Sequence, residues 1–329
     1  MIPESITLVI SEIALSLYPQ LIKLTNTNIT SQISIRFITY TILAILGYFI
    51  SPIHSSSLSS ILNYPITQYL SLGLINILHV AVSYVAFHFL SSGVGYSLFY
   101  TYPIFNLLGR SLIFQETIKP SAFLYIILAI LGVYLITNKE YMEYSKKNTT
   151  TPIKNNQTNQ TTTDTEMISI GVFAGLLSAI TESIIYLTVR NTTSIKSSSY
   201  QEILRFYSLG AAIGIILIVY NYYKNTTNTD TKTNTTITTT PESPSAFFSF
   251  QISGNDVITL VLFNALIGFL GYIFRFYAIP RVNTIEFNSL IFLGVIFSYL
   301  WGFFLSGETI HPEYILGSLL IIISIYLVN

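Results

Sequence analysis

The string Glu116-Thr117-Ile118-Lys119-Pro120 returns almost unchanged as Glu308-Thr309-Ile310-His311-Pro312, each time between two long apolar runs. Tyr134-Leu135 and Tyr326-Leu327 line up at the same offset. Gln-Ile-Ser-Ile-Arg-Phe from Gln32 to Phe37 resembles Gln-Glu-Ile-Leu-Arg-Phe from Gln201 to Phe206 at a shorter one. The shorter offset has a simple source, a longer insertion at 224–250 in the second copy than the loop at 51–67 in the first. Repetition on this scale makes the chain two copies of one unit.

That unit belongs in a membrane. Of the 329 residues 51% are hydrophobic and only 9% charged, with a mean hydropathy of +0.60, whereas about a quarter of the residues of a soluble domain are charged. Zero Cys excludes disulfides, thiolate metal sites and cysteine nucleophiles. A net charge of +0 points to no nucleic-acid partner. The first residues enter an apolar stretch containing Glu12 and Pro19 without a basic start or a small-residue cleavage site, which reads as a permanent helix.

Crossing a hydrocarbon core of about 30 Å takes roughly 17–25 apolar residues in a helix. Ten runs fit: 6–24, 33–50, 68–90, 93–114 and 120–137 in the first half, then 168–190, 202–223, 256–279, 284–305 and 312–328 in the second. Five spans per copy, an odd number, make the second copy enter from the opposite side. The expected fold is therefore an all-α membrane protein of ten transmembrane helices in two inverted five-helix repeats. The expected domains are 1–138, a polar linker at 139–167, and 168–329 with its polar insertion at 224–250. Both polar segments are rich in Thr, Asn and Lys and are expected to be solvated linkers. Pro120 and Pro312 suit the first turn of a helix. The repeated string therefore reads as a structural turn, with Glu116 and Glu308 near helix N-termini, where a carboxylate is favoured.

From Phe87 through Phe89-Leu90-Ser91-Ser92 into Tyr102-Pro103-Ile104-Phe105, and on to Glu116 and Pro120, the chain resembles the drug/metabolite transporter superfamily and its EamA-like branch. The resemblance extends to the five-plus-five layout. It implies a secondary carrier or exporter of a small organic metabolite. It also implies a central cavity lined by the first, third, fourth, sixth, eighth and ninth helices, with the fifth and tenth outside as scaffold. One departure is that Val295 stands where the first copy has Pro103, so a proline kink is expected in one copy only.

The ionisable residues fit that division, since charge is costly in lipid. Glu12, His79, His88, Arg110, Glu182 and Arg275 lie in inner helices, and Glu286 begins the ninth. Asn76, His79 and Ser83 share one helical face, and Asn264, Gly268, Gly271 and Arg275 form a stripe on the eighth helix. Close helix packing explains the two glycines, but it does not explain a guanidinium at Arg275. Glu12 and Glu182, each in the first helix of its copy, have two open readings. One is proton binding, for which the small multidrug carriers' first-helix glutamate offers a parallel for Glu12; the other is a static pair with Arg110 or Arg275. Tyr96, Tyr100 and Pro103 follow helical spacing and suit an aromatic wall. Pro103 removes a backbone hydrogen bond and is expected to kink its helix as a gate hinge.

No phosphate loop, nucleophile elbow or zinc-protease string is present, so no enzyme, cofactor or metal is expected. The partners expected are a small organic solute, with or without proton coupling, the lipid bilayer, and a second copy of the chain as a homodimer. Six of seven Asn-x-Ser/Thr sequons fall on outer loops if both termini are cytoplasmic, the orientation the resemblance implies, whereas the loop lysines favour the reverse. A non-transporting receptor or scaffold acting through the polar loops is the alternative function.

Overall fold

A computed structural model describes residues 3–25, 27–50, 65–115, 117, 120–149, 157–192, 198–227 and 254–328. Helix makes up 90% of the described residues, and no strand occurs among them. The helices are α1 (Glu4–Leu15), α2 (Tyr18–Leu24), α3 (Ile29–Ile50), α4 (Ile66–Phe89), α5 (Ser92–Phe99), α6 (Tyr102–Phe114), α7 (Pro120–Thr149), α8 (Gln157–Thr192) and α9 (Ser199–Thr227). They continue with α10 (Gly254–Phe263), a π-helical turn (Asn264–Phe269), α11 (Leu270–Ala278), α12 (Thr284–Leu290), α13 (Phe292–Ser306) and α14 (Pro312–Val328).

Seven stretches among the described residues are long and apolar enough to cross a membrane: Glu4–Leu24, Ile29–Ile50, Ile66–Phe89, Glu166–Asn191, Ser199–Asn221, Gly254–Ala278 and Glu286–Ser306. Pro312–Ser324 is a shorter apolar helix. The fourth run of the sequence, 93–114, is divided between α5 and α6. Tyr100 and Thr101 part the two, and Pro103 stands in the first turn of α6, where its missing N–H matters least. The proline thus separates two helices rather than kinking one. The second copy breaks at the corresponding place, Ile291, between α12 and α13, although it has Val295 instead of a proline.

The repeated turn keeps its backbone shape in both copies. Gln115 after α6 (φ 55°, ψ 28°) and Gly307 after α13 (φ 63°, ψ 25°) both take the left-handed conformation. They occupy matching places, immediately before Glu116 and Glu308. Such a residue closes a helix so that a new one can start, and glycine adopts it most readily. Pro120 and Pro312 then open α7 and α14. Glu116 itself lies outside the described residues, as do 51–64 and 228–253. The segment expected as a linker is helical at both ends: α7 runs on to Thr149 and α8 begins at Gln157. Side-chain contacts hold the α7 extension, because Lys139 pairs with Glu143 at 3.1 Å and with Glu313 at 3.3 Å. The hydrogen bond to Glu143 raises the Lys139 ammonium above the ordinary lysine range.

The chain forms two compact units. One comprises Met1–Leu24, Leu78–Ser197 and Gly271–Asn329, the other Thr25–Ile77 and Ser198–Leu270, so each draws on both halves of the sequence. In the second unit α3 and α9 pack antiparallel. Ser34 meets Gly214, Phe37 meets Gly210, Tyr40 stacks near Tyr207 with centroids 4.9 Å apart, and Gly47 meets Tyr200. Gly214 allows the approach, since a Cβ there would stand 3.3 Å from the Ser34 Cα. Within the first unit α7 and α14 also run antiparallel: Gly132 faces Ile321, Ile136 faces Gly317, and the Tyr314 hydroxyl donates to Glu140 Oε2 at 2.5 Å.

Candidate functional site

Three charged residues buried in the first unit meet one another: Glu12 on the last turn of α1, Glu182 in α8 and Arg275 in α11. Local features of the sequence set each one. Pro19 lies in the first turn of α2, so the first span is two helices and Glu12 sits just before the break. Arg275 follows the π-helical turn, which carries one residue more per turn and shifts the helix face by roughly 100°. Asn264 opens that turn, and its amide donates to the Leu260 carbonyl at 2.8 Å. Gly271 is a packing position: a Cβ there would lie 3.0 Å from Leu15 Cδ2, and Ser11 Oγ donates to the Gly271 carbonyl at 2.8 Å.

Arg275 bridges the two glutamates. Its Nη1 donates to Glu12 Oε1 at 2.8 Å and its Nη2 to Glu182 Oε1 at 2.5 Å. All three side chains are buried, Glu12 completely. A planar guanidinium with several divergent N–H groups suits this double contact, which a lysine ammonium cannot copy. Tyr100 OH donates to the other oxygen of Glu12. Tyr102 places its hydroxyl 3.5 Å from Nη2, with its ring centre 5.8 Å from the guanidinium carbon. On the far side of Glu182, His79 Nε2 lies 3.4 Å from Oε2, while Nδ1 lies 3.1 Å from Thr181 Oγ1 and 3.3 Å from the Ser178 carbonyl. Tyr96 stacks on Tyr100 at 5.1 Å and on Phe87 at 5.4 Å, continuing the aromatic wall.

The cluster thus joins Glu12, His79, Tyr100, Glu182 and Arg275, with Tyr96 behind them. The other residues singled out in the sequence lie elsewhere. Asn76 falls in the second unit, where its amide donates to the Phe206 carbonyl at 3.0 Å. Ser83 gives its hydroxyl hydrogen to the His79 carbonyl of its own helix at 2.7 Å. Arg110 is half-buried, two turns beyond Tyr102 on α6, and His88 is exposed. Glu286 belongs to a helix cap rather than to the cluster: its backbone N–H donates to the N-cap side chain Asn283 at 2.8 Å, and its carboxylate accepts from Asn283 Nδ2 and from Ser5.

Glu308 binds the start of α5, not the helix that follows it. Its two oxygens accept from Ser92 N and Ser92 Oγ, each at 2.8 Å, and Lys23 pairs with it. Glu140 accepts from the neighbouring Ser91 N at 2.7 Å, so two carboxylates meet the positive end of one short helix. Between α11 and α12, Arg190 donates to the carbonyls of Ile279 and Val282, both at 2.7 Å.

Sequence reading missed Thr181 and Glu140, which carry no spacing signal, and Asn106. Asn106 is buried on α6 one turn past Tyr102, with neither amide atom hydrogen-bonded among the described residues. A lone Asn in the apolar run after Pro103 was the available clue.

An all-helical, multi-pass membrane protein with a buried cluster of charged and aromatic side chains is the class that this fold and site define. Residues 3–138 match the model of the EamA-like transporter family, part of the drug/metabolite transporter superfamily of membrane transporters. A solved structure described only as "Crystal structure of protein" aligns over 98% of this chain and 93% of its own, with 11% identity and a TM-score of 0.53. That likeness shows a fold shared with that structure over nearly the whole chain. No curated protein matches the sequence.

Proposed function

We propose that the protein is a ten-helix secondary transporter that carries a small organic solute by alternating access, with 1–138 and 168–329 as inverted repeats around the linker 139–167. The matching backbone at Gln115 and Gly307 supports the repeat, and the inversion is supported by helices at equivalent places in the two copies, α3 with α9 and α7 with α14, which pack antiparallel. Copies threaded in the same direction would put such pairs parallel. An even traverse count leaves both termini on one face, assigned to the cytoplasm.

The observation that carries the transport reading is Arg275 held between Glu12 and Glu182, one glutamate from the first span of each copy. A buried charge cluster at this expense is retained for function more readily than for stability, because apolar packing serves stability at least as well. Glu12, Glu182 and Arg275 are the charged contacts, Tyr96, Tyr100 and Tyr102 the aromatic wall, and Asn106 an amide available to a polar solute group. His79, Ser83, Arg110 and Glu286 complete the cavity assignment in the first unit, with Ser83 and Glu286 the weakest members because their polar groups serve their own helices; Asn76, also assigned from sequence, belongs to the second unit.

The test is solute uptake into proteoliposomes, preceded by a thermal-shift screen against amino acids, nucleotide sugars, phosphorylated metabolites and amines. Stabilisation by one class, with uptake that falls at least tenfold in Glu12→Gln and Arg275→Gln, supports the reading. Uptake unchanged in both variants removes the site assignment.

A further inference from the structure

The two glutamates that Arg275 bridges are not chemically equivalent. Each gives one oxygen to the guanidinium, Glu12 Oε1 to Nη1 and Glu182 Oε1 to Nη2. Their second oxygens meet different groups. Glu12 Oε2 accepts from the Tyr100 hydroxyl, so Glu12 is fully satisfied as a carboxylate. Glu182 Oε2 faces the Nε2 of a histidine at 3.4 Å.

Which hydrogens that histidine holds follows from its other side. The Ser178 carbonyl, 3.3 Å from Nδ1, can only accept. Thr181 Oγ1 lies 3.1 Å from Nδ1 and has two backbone carbonyls within reach of its own hydrogen, Ser178 at 2.9 Å and Leu177 at 3.1 Å. With that hydrogen on a carbonyl, both neighbours of Nδ1 accept, and Nδ1 carries a hydrogen. A neutral ring with its hydrogen on Nδ1 would turn the Nε2 lone pair toward a carboxylate oxygen, two acceptors against each other. A proton between Nε2 and Oε2 removes that conflict, whether it resides on the ring or on the acid.

Deepening the transport reading proposed above, we infer that the His79–Glu182 pair is the proton site of the carrier, holding one exchangeable proton between Nε2 and Oε2, while Glu12 stays a permanent counter-charge to Arg275. The charge balance agrees. Two carboxylates, one guanidinium and one proton sum to zero, which suits a site from which water is excluded. The groups facing the pair from the packed helices are Arg275 on α11, Glu12 on α1, and the hydroxyls of Tyr100 and Tyr102; the Phe99 ring lies 5.7 Å from the imidazole and shields it. When the proton leaves, Nε2 keeps its lone pair, Glu182 becomes a full carboxylate, and the cluster gains one negative charge. A singly charged cationic group of a solute compensates that charge, so the exchange is one proton for one positive charge.

The chain has four histidines, so replacing His54, His88 and His311 by Gln leaves His79 as the sole ring for nitrogen-15 NMR of the full protein in lipid bilayers. The expected spectrum shows Nδ1 protonated throughout and Nε2 protonated or sharing a proton at low pH, with one proton lost as pH rises. Glu182→Gln is expected to abolish that titration and leave a neutral Nδ1–H ring at every pH, and Glu12→Gln to leave the titration in place. A neutral ring with its hydrogen on Nε2, or a titration unmoved by Glu182→Gln, overturns the inference. If Glu182→Gln does not fold, the tautomer of the parent protein decides alone. These spectra need no solute, so a negative result leaves transport standing, and a lack of uptake in proteoliposomes leaves the proton site standing.

Discussion

Glu12 and Arg275 stand 263 positions apart in the chain and are joined by a 2.8 Å hydrogen bond between fully buried partners. Arg275 spends its other Nη on Glu182, so one guanidinium holds two helices that each begin a copy of the repeat. Removing it leaves two buried carboxylates close together without a cation. Arg275→Gln is expected to destabilise the protein by about 3–5 kcal/mol, the range for breaking a buried pair by deleting one member. Arg275→Lys should recover only part of that, because an ammonium cannot satisfy both glutamates along separate N–H directions. Thermal unfolding of the purified variants in one detergent checks the order: parent, then Lys, then Gln.

Asn106 should separate stability from function. Both of its amide atoms are buried without a hydrogen-bond partner among the described residues, and an unmet buried polar group costs about 1–3 kcal/mol. Asn106→Leu is expected to raise the unfolding temperature and to lower solute uptake. A less stable variant would show that the amide is met by a structural partner, and an equally active one that it has no role toward a solute.

The crossing of α7 and α14 depends on two glycines. A Cβ on Gly132 would stand 2.5 Å from the Gly317 carbonyl oxygen, and one on Gly317 would stand 2.7 Å from the Gly132 carbonyl oxygen. Backbone atoms cannot move aside as a side chain can. Gly132→Ala or Gly317→Ala should therefore push the helices apart at about 1–3 kcal/mol each. The pair together should cost less than the sum, because one displacement relieves both clashes. A double-mutant cycle on unfolding free energy measures this.

Much of the framework was legible in the sequence because apolar run length and the repeated string report directly on helix positions and on duplication. The charged positions Glu12, Glu182 and Arg275 were legible for the same reason, since a charge inside an apolar run calls for a partner. What could not be read were phases and partners. The π-helical turn before Arg275 adds a residue that no spacing rule detects. Glu286 sits three residues after Asn283 in a capping arrangement that periodicity alone confuses with a cavity position. Continuation of α7 past residue 137 depends on Glu313, Tyr314 and Ser91, contacts distant in sequence, whereas composition alone marks 139–149 as linker. The break at Ile291 forms without a proline, so the absence of Pro at Val295 was a poor guide.

At the repeated turn the two copies use different residues for one conformation. Gln115 holds φ 55° with a side chain, where Gly307 holds φ 63° without one. Left-handed backbone costs a residue with a Cβ about 1 kcal/mol or more. Gln115→Gly is expected to stabilise the protein by about that amount, and Gly307→Gln to destabilise it comparably, as read from paired thermal melts.

The central claim is that the two copies thread the membrane in opposite directions around the Glu12–Arg275–Glu182 cluster. Thr117 and Thr309 occupy the same place in the two copies, both are exposed, and the protein has zero Cys, so each can serve as a single-cysteine reporter. A membrane-impermeant maleimide applied to sealed vesicles of known orientation should label Thr117→Cys from one face only and Thr309→Cys from the other only. Labelling of both from the same face would contradict the inverted arrangement and the transport site built on it.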